Sequence, residues 1–148
     1  MTLPASGAIS MSQINTELGS NRNDLNDSWV RQLAGVNTTN TTISFSNLYS
    51  KTGRFDGNIQ MSAAIQSIGF SPTLFGASAN ELIRNAGNGN AELDFNSAPN
   101  WTGSFLLTNH TTGISSTLAK QNAQSWQGSN PANLLRASQT DNFTIQPA

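Results

Sequence analysis

Hydrophobic positions in the first third of the chain recur at helical spacing. Those beyond Thr52 and Gly53 alternate or fall in short runs. Met11, Ile14 and Leu18 form one narrow apolar stripe and Val30, Leu33 and Ala34 another, which predicts helices near 11–18 and 27–34. Ser10 stands where an N-cap belongs and Gln13, three residues on, can complete a capping box; Ile9 and Ile14 take the two positions of a hydrophobic staple. The same phrase returns as Ile43, Ser44, Asn47 and Leu48 and predicts a short helical turn after Ser44. A weaker echo runs through Ile59, Met61, Ser62 and Ile65. Leu25, Asn26 and Val30 read as a further staple around an Asn cap, and Gly19 and Gly35 as left-handed helix terminators. The polar run 37–42 reads as a loop.

From residue 53 onward, β-like runs at 65–70, 81–85, 91–96, 103–108, 113–118 and 142–146 are divided by turn residues at roughly ten-residue spacing. In the third run Leu93 and Phe95 alternate with Glu92 and Asp94, as on a strand with one buried and one wet face. Asn88-Gly89 marks a hairpin, because both residues tolerate positive φ. The expected fold class is therefore α+β: a small N-terminal capped-helix unit over 1–52, followed by an antiparallel β-sandwich over 53–148. The two helical stripes are too small to bury much alone, so Leu3, Ile9, Met11 and Ile14 are candidates for contact with a neighbouring subunit or with the β domain.

Composition narrows the function classes. Of 148 residues only 10% are charged, with a formal net charge of -1, and the seven cations are scattered with no two adjacent. A clustered basic surface for nucleic acid is missing, so no nucleic-acid partner is expected. No apolar run approaches the roughly 20 residues that span a bilayer, and the start of the chain lacks a basic patch followed by an apolar core, so neither membrane insertion nor a standard export signal is expected. Without cysteine, disulfides and thiolate metal sites are excluded; with His110 as the single histidine, so is a His-rich metal site. No cofactor is expected. Asn, Ser and Thr fill over a third of the positions, a polarity without charge that suits extended β surfaces and loops bonded to neighbouring backbone or to an adjacent subunit. The N-x-S/T matches at Asn37, Asn100 and Asn142 are what such a composition produces by chance.

The segments LPASGAISMSQINTELG, LNDSWVRQLAGV and TISFSNLYSKTG, in that order over the first third of the chain, resemble a segment of virion proteins of tailed bacteriophages. That family pattern runs LP-x-x-G-x-I-S, then N-x-E-x-G, L-N-D-x-x-V-R and I-S-x-S-x-x-Y. Here the loop SNRND is shorter than the family's Ser/Thr-rich linker, and Trp29 takes a normally small position; neither touches the caps. The later GF at 69, W-x-G at 101–103 and SW at 125 faintly resemble small β-sandwich domains of phage appendage proteins. The resemblance implies a virion structural part, in a tail, fibre, baseplate or other particle component, made in the host cytoplasm and partnered by other virion proteins and copies of itself.

Candidate chemistry is sparse. Glu92 and Asp94 share a face of one strand and could pair as glycosidase carboxylates, but a solvent-facing acidic edge is the ordinary outcome. His110, in a turn after 103–108, could serve as a lone base; a surface turn histidine is the plainer expectation. No serine stands in a nucleophile-elbow context, and the Gly-rich 87–92 stretch lacks the Lys of a phosphate loop, so it reads as a hairpin. Trp101 and Trp126, with Phe75 and Phe105, could offer faces for stacking a host surface glycan, or else fill the core or an interface. The expected function is a non-enzymatic structural subunit, a tail, fibre or baseplate appendage component; the alternatives are a capsid decoration protein and a glycan-binding receptor module.

Overall fold

The computed structural model describes residues 2–36 and 41–148; most of the predicted polar loop, 37–40 with Asn37, lies outside the described residues together with Met1. Helix α1 spans Met11–Leu18. The Ser10 hydroxyl accepts the Gln13 N–H at 3.3 Å and the Gln13 side-chain oxygen accepts the Ser10 N–H at 2.8 Å, which closes the capping box. Gly19 ends the helix at φ 62°, a left-handed conformation that costs glycine nothing. Helix α2 spans Ser28–Ala34 and ends at Gly35. Its cap is Asp27 rather than the expected Asn26: Asp27 Oδ1 accepts the Trp29 N–H at 2.9 Å, while Asn26 Oδ1 is occupied by the guanidinium of buried Arg31 at 2.8 Å. The second copy of the phrase forms a 3-10 turn, Phe45–Leu48. There Asn47 Oδ1 accepts the Ser44 N–H at 2.9 Å, but the Ser44 hydroxyl takes no backbone N–H and bonds instead to the Ser46 and Asn47 side chains.

Nine strands follow among the described residues: β1 Phe55–Met61, β2 Ser67–Ile68, β3 Thr73–Leu74, β4 Ala77–Arg84, β5 Ala91–Phe95, β6 Phe105–Asn109, β7 Ile114–Lys120, β8 Ser125–Gly128 and β9 Thr140–Pro147. They lie in the order β2-β1-β9-β6-β7-β8-β5-β4-β3, every neighbouring pair antiparallel. The α+β class stands, but the expected sandwich is corrected to one continuous curled sheet, a half-barrel. The sheet does not split because β7 hands its pairing on, from β6 through Ile114–Leu118 to β8 through Ala119 and Lys120. It curls far enough that Gln66, just before β2, bridges to Ile83 of β4 near the opposite end of the strand order. The third echo of the phrase is also corrected: Ile59 and Met61 are buried strand residues of β1, and Ser62 and Ile65 close a turn.

Antiparallel order sorts the connections into two poles. At one lie the start of β1, the turn between β3 and β4, the 96–104 connection and the end of β9; at the other lie the turns 62–66, 86–89 and 110–113 and the long connection 129–139. The helical unit covers the first pole. Trp29 meets Trp101 edge-on with ring centroids 4.9 Å apart, and Trp101 stacks on Phe75 at the same distance. Gln32 Oε1 accepts the Thr102 N–H at 2.8 Å, and the fully buried Glu17 carboxylate accepts the N–H groups of Gly53 and Arg54 at 2.9 and 3.2 Å. Ile14, Leu18, Val30 and Leu33 therefore share one core with Leu82, Leu93, Phe105, Trp126 and Phe143. The far pole is closed by Leu134 and Leu135, folded in from the 129–139 connection. Beside them, buried Asn109 donates to the Leu134 carbonyl at 2.9 Å and to Asp141 at 2.8 Å, and Arg136 pairs with Asp141 through both carboxylate oxygens.

Candidate functional site

A row of polar side chains crosses the outer face of the sheet over β6, β9 and β1. Register sets Thr144 of β9 between Thr108 and Asp56. The Thr144 hydroxyl donates to Asp56 Oδ1 at 2.5 Å, so the 2.8 Å contact with His110 is a bond donated by the imidazole Nε2–H, the tautomer this network assigns. Asp56 also accepts both Arg54 Nε and Nη2, at 2.6 and 2.9 Å, and Arg54 Nη1 reaches Gln146 Oε1 at 2.9 Å. Partial burial lifts the Asp56 pKa, but the bonds from Arg54 and Thr144 outweigh it and hold the carboxyl below its ordinary value.

The row ends at an open groove of about 700 Å³ where α1 meets the sheet, lined by Ser12, Asn15, Thr16, Asn21, Arg54 and Gln146 among others. Gly19 is favoured here by its positive φ, and a Cβ there would also displace the end of the Gln146 side chain, 2.8 Å away. Hydroxyls, amides and one already paired guanidinium make a surface for polar contact. Thr144, in the row beside the groove, is 5% exposed and gives its proton to Asp56.

The candidate site residues singled out in the sequence do not line this groove. Trp101 and Trp126 are fully buried, and their indole N–H groups donate to the carbonyls of Ser104 and Gly103 at 3.0 and 2.8 Å. Glycan stacking at either is corrected: they are the aromatic core, with Phe75, Phe95 and Phe105 packed around them. Leu3, Ile9 and Ile14 are buried against this chain's own core, with half-buried Met11 packed on it.

Glu92 and Asp94 do share the outer face of β5, half-buried rather than wet. Glu92 accepts from the Ser125 hydroxyl at 2.8 Å and from the Asn85 amide; burial pushes its pKa up, but these bonds outweigh it and hold it low. Asp94 is pushed up, by burial first and then by Glu92 and Glu81, the latter its cross-strand neighbour. Neither carboxylate lines the groove. The Gly-rich stretch is a hairpin as expected, although only Gly89 of the Asn-Gly pair has positive φ. No group of three or more His, Cys, Asp or Glu that could hold a metal occurs among the described residues, nor does a helix long and apolar enough to cross a membrane.

Sequence reasoning passed over the row itself. Its signal was Arg54, Asp56 and Asn58 at strand period opposite Asn142, Thr144 and Gln146, two alternating polar triplets whose pairing becomes visible only when β1 and β9 are set side by side. Compared with models of known protein families, with curated proteins and with solved structures, the chain matches none.

Proposed function

We propose that the chain is a non-enzymatic structural subunit of a tailed-phage particle, a tail, fibre or baseplate appendage component partnered by other virion proteins and by copies of itself. One observation carries the proposal: several residues of the phage-like segment hold structural posts in the cap. Ser10 closes its box, Gly19 and Gly35 terminate the helices, Glu17 ties the cap to the start of β1, and the Tyr49 hydroxyl donates to the Gly7 carbonyl at 2.8 Å. A motif whose letters specify a cap is one that particle proteins can carry on different bodies. The charge-poor surface of hydroxyls and amides suits repeated contact between subunits. With Trp101 and Trp126 inside the core, the glycan-binding alternative loses the residues it rested on; a capsid decoration protein remains the second placement.

Purified particles from a host infected with the phage encoding this chain provide the test. Mass spectrometry is expected to find the chain at a fixed stoichiometry, and immunogold labelling to place it on the tail. Label on the head would select the decoration role, and absence from the particle would refute the proposal.

A further inference from the structure

The two edges of the half-barrel are bridged at a seam by residues 66–74, with Ile65 at their flank. This strip contains β2 and β3, the two ends of the strand order, and its backbone pairing is short on both sides; its side-chain anchors are buried Leu74, buried Phe70 edge-on to Phe55 at 5.5 Å, and the Gln66 amide, which donates to Glu81 at 2.6 Å. On the β1 side it pairs through Gln60–Ile68 and Met61–Ser67, with two further bonds, from the Ser62 N–H to the Gln66 carbonyl and from the Gln66 N–H to the Ser62 hydroxyl. On the β4 side it accepts the Ala79 N–H at the Pro72 carbonyl and the Leu82 N–H at the Ser67 hydroxyl, both at 2.8 Å, and pairs at Thr73–Ser78 and Leu74–Ala77. Between its two paired ends a cavity of about 290 Å³ opens against β1, lined by Phe55, Asn58, Ile68, Phe70 and Pro72 among others. Ile68 is 51% exposed.

Both flanks of the strip are strained. Ile65, β-branched, has φ 58° and Phe75 has φ 49°, in the left-handed region that such side chains avoid. Residues held there store energy that surrounding contacts must overcome. At Phe75 those contacts are strong: its N–H donates to the Thr52 carbonyl at 2.8 Å, its carbonyl accepts the Asn100 N–H at 2.9 Å, and its ring is 1% exposed against Trp101. Ile65 has less to hold it. It is half-buried, with its N–H on the Ser62 carbonyl at 3.1 Å and its carbonyl accepting the Arg84 N–H at 2.9 Å.

We infer that residues 66–74 form a strap that opens as a unit, hinged at the firmly held Phe75 end and released at the strained Ile65 end. Opening uncovers the backbone edges of β1 and β4 while the rest of the barrel stays closed. The strap is a conformational device of the fold and does not depend on where in a particle the chain sits.

Hydrogen exchange on the whole chain tests this residue by residue, because amides alternate sides along a strand. Ala79, Leu82 and Arg84 donate across the seam, whereas Glu81 and Ile83 face β5. The seam-facing set is expected to exchange about tenfold or more faster than its β5-facing neighbours. A single common rate along β4 would overturn the strap. The chain has no cysteine, so the double variant Gln60→Cys/Ile68→Cys places one clean disulfide across a register pair of suitable spacing. Oxidation is expected to bring the seam amides to the rate of Glu81 and Ile83, and reduction to restore the difference. Fast seam exchange that persists in the oxidised protein would equally refute the proposal, and the wild-type measurement stands even if the variant does not fold.

Discussion

Single side chains at the joints carry measurable shares of stability. Replacing Ser10 by Ala removes an N-cap acceptor and is expected to cost about 0.5–2 kcal/mol in chemical denaturation. Ser44→Ala should cost less, since its hydroxyl accepts no backbone N–H, and Asn47→Ala more than Ser44→Ala, since the Asn47 amide is what holds that turn. At the far pole the bonds from Arg136 hold the Asp141 carboxyl below its ordinary value of 3.8, against the opposing pull of burial. A depressed carboxyl stabilises the fold above its unfolded value, and the stability is lost as pH falls through the folded one. Denaturation midpoints should therefore drop below about pH 4 in the wild type, with a shallower drop in Asp141→Asn on a lower baseline. Asp94 is raised, so the sign reverses: it weakens the fold as pH rises through the window above 3.8, and Asp94→Asn should be more stable than wild type at neutral pH.

At the level of elements, two hairpins turn out to use one device. Asn85 and Asn109 each accept backbone N–H groups two and three residues on through their side-chain oxygens, and each carbonyl accepts the N–H of a glycine four residues on. Gly89 and Gly113 both have positive φ. A Cβ on Gly113 would meet nothing within 4 Å, so Gly113→Ala isolates the conformational cost, expected near 1 kcal/mol, and Gly113→Asn should recover most of it. Gly128→Ala is a different case: its Cβ would lie 2.2 Å from the Thr117 carbonyl oxygen, and a loss of about 3 kcal/mol or more is expected.

The helices were legible because caps and terminators act locally. The strands β5, β6, β7 and β9 were legible because their apolar residues alternate. Strand β1 was not, since Gly57 interrupts its apolar face and its outer residues Asp56, Asn58 and Gln60 read as loop until β9 supplies partners. Of the run expected at 65–70 only Ser67–Ile68 pairs as β2, and β3, two residues long, leaves no period to read. The polar row of Arg54, Asp56, Thr144 and His110 was hidden for the same reason as β1, because its members are brought together only by long-range pairing.

For the whole molecule, the expectation of a self-contained β domain after residue 53 meets a single continuous core. Trp29 covers Trp101, and Leu33 lies with Phe75 around Gly53, so a chain starting at Gly53 is expected to expose these aromatics, to bind a hydrophobic dye and to unfold at lower denaturant than the full protein. Retention of the full chain's midpoint would mean that the cap contributes nothing to the barrel. The same topology sets the tempo of synthesis. Strand β9 lies between β1 and β6, and Asn58 waits for Asn142, 84 residues later, before its neighbour in the sheet exists. At ribosomal speeds that delay is about 4–17 s. Throughout it β1 has only the two residues of β2 to pair with, so a newly made chain carries an open strand edge until β9 emerges, and its folding yield should depend more on elongation rate and on holding chaperones than on the stability of the finished barrel.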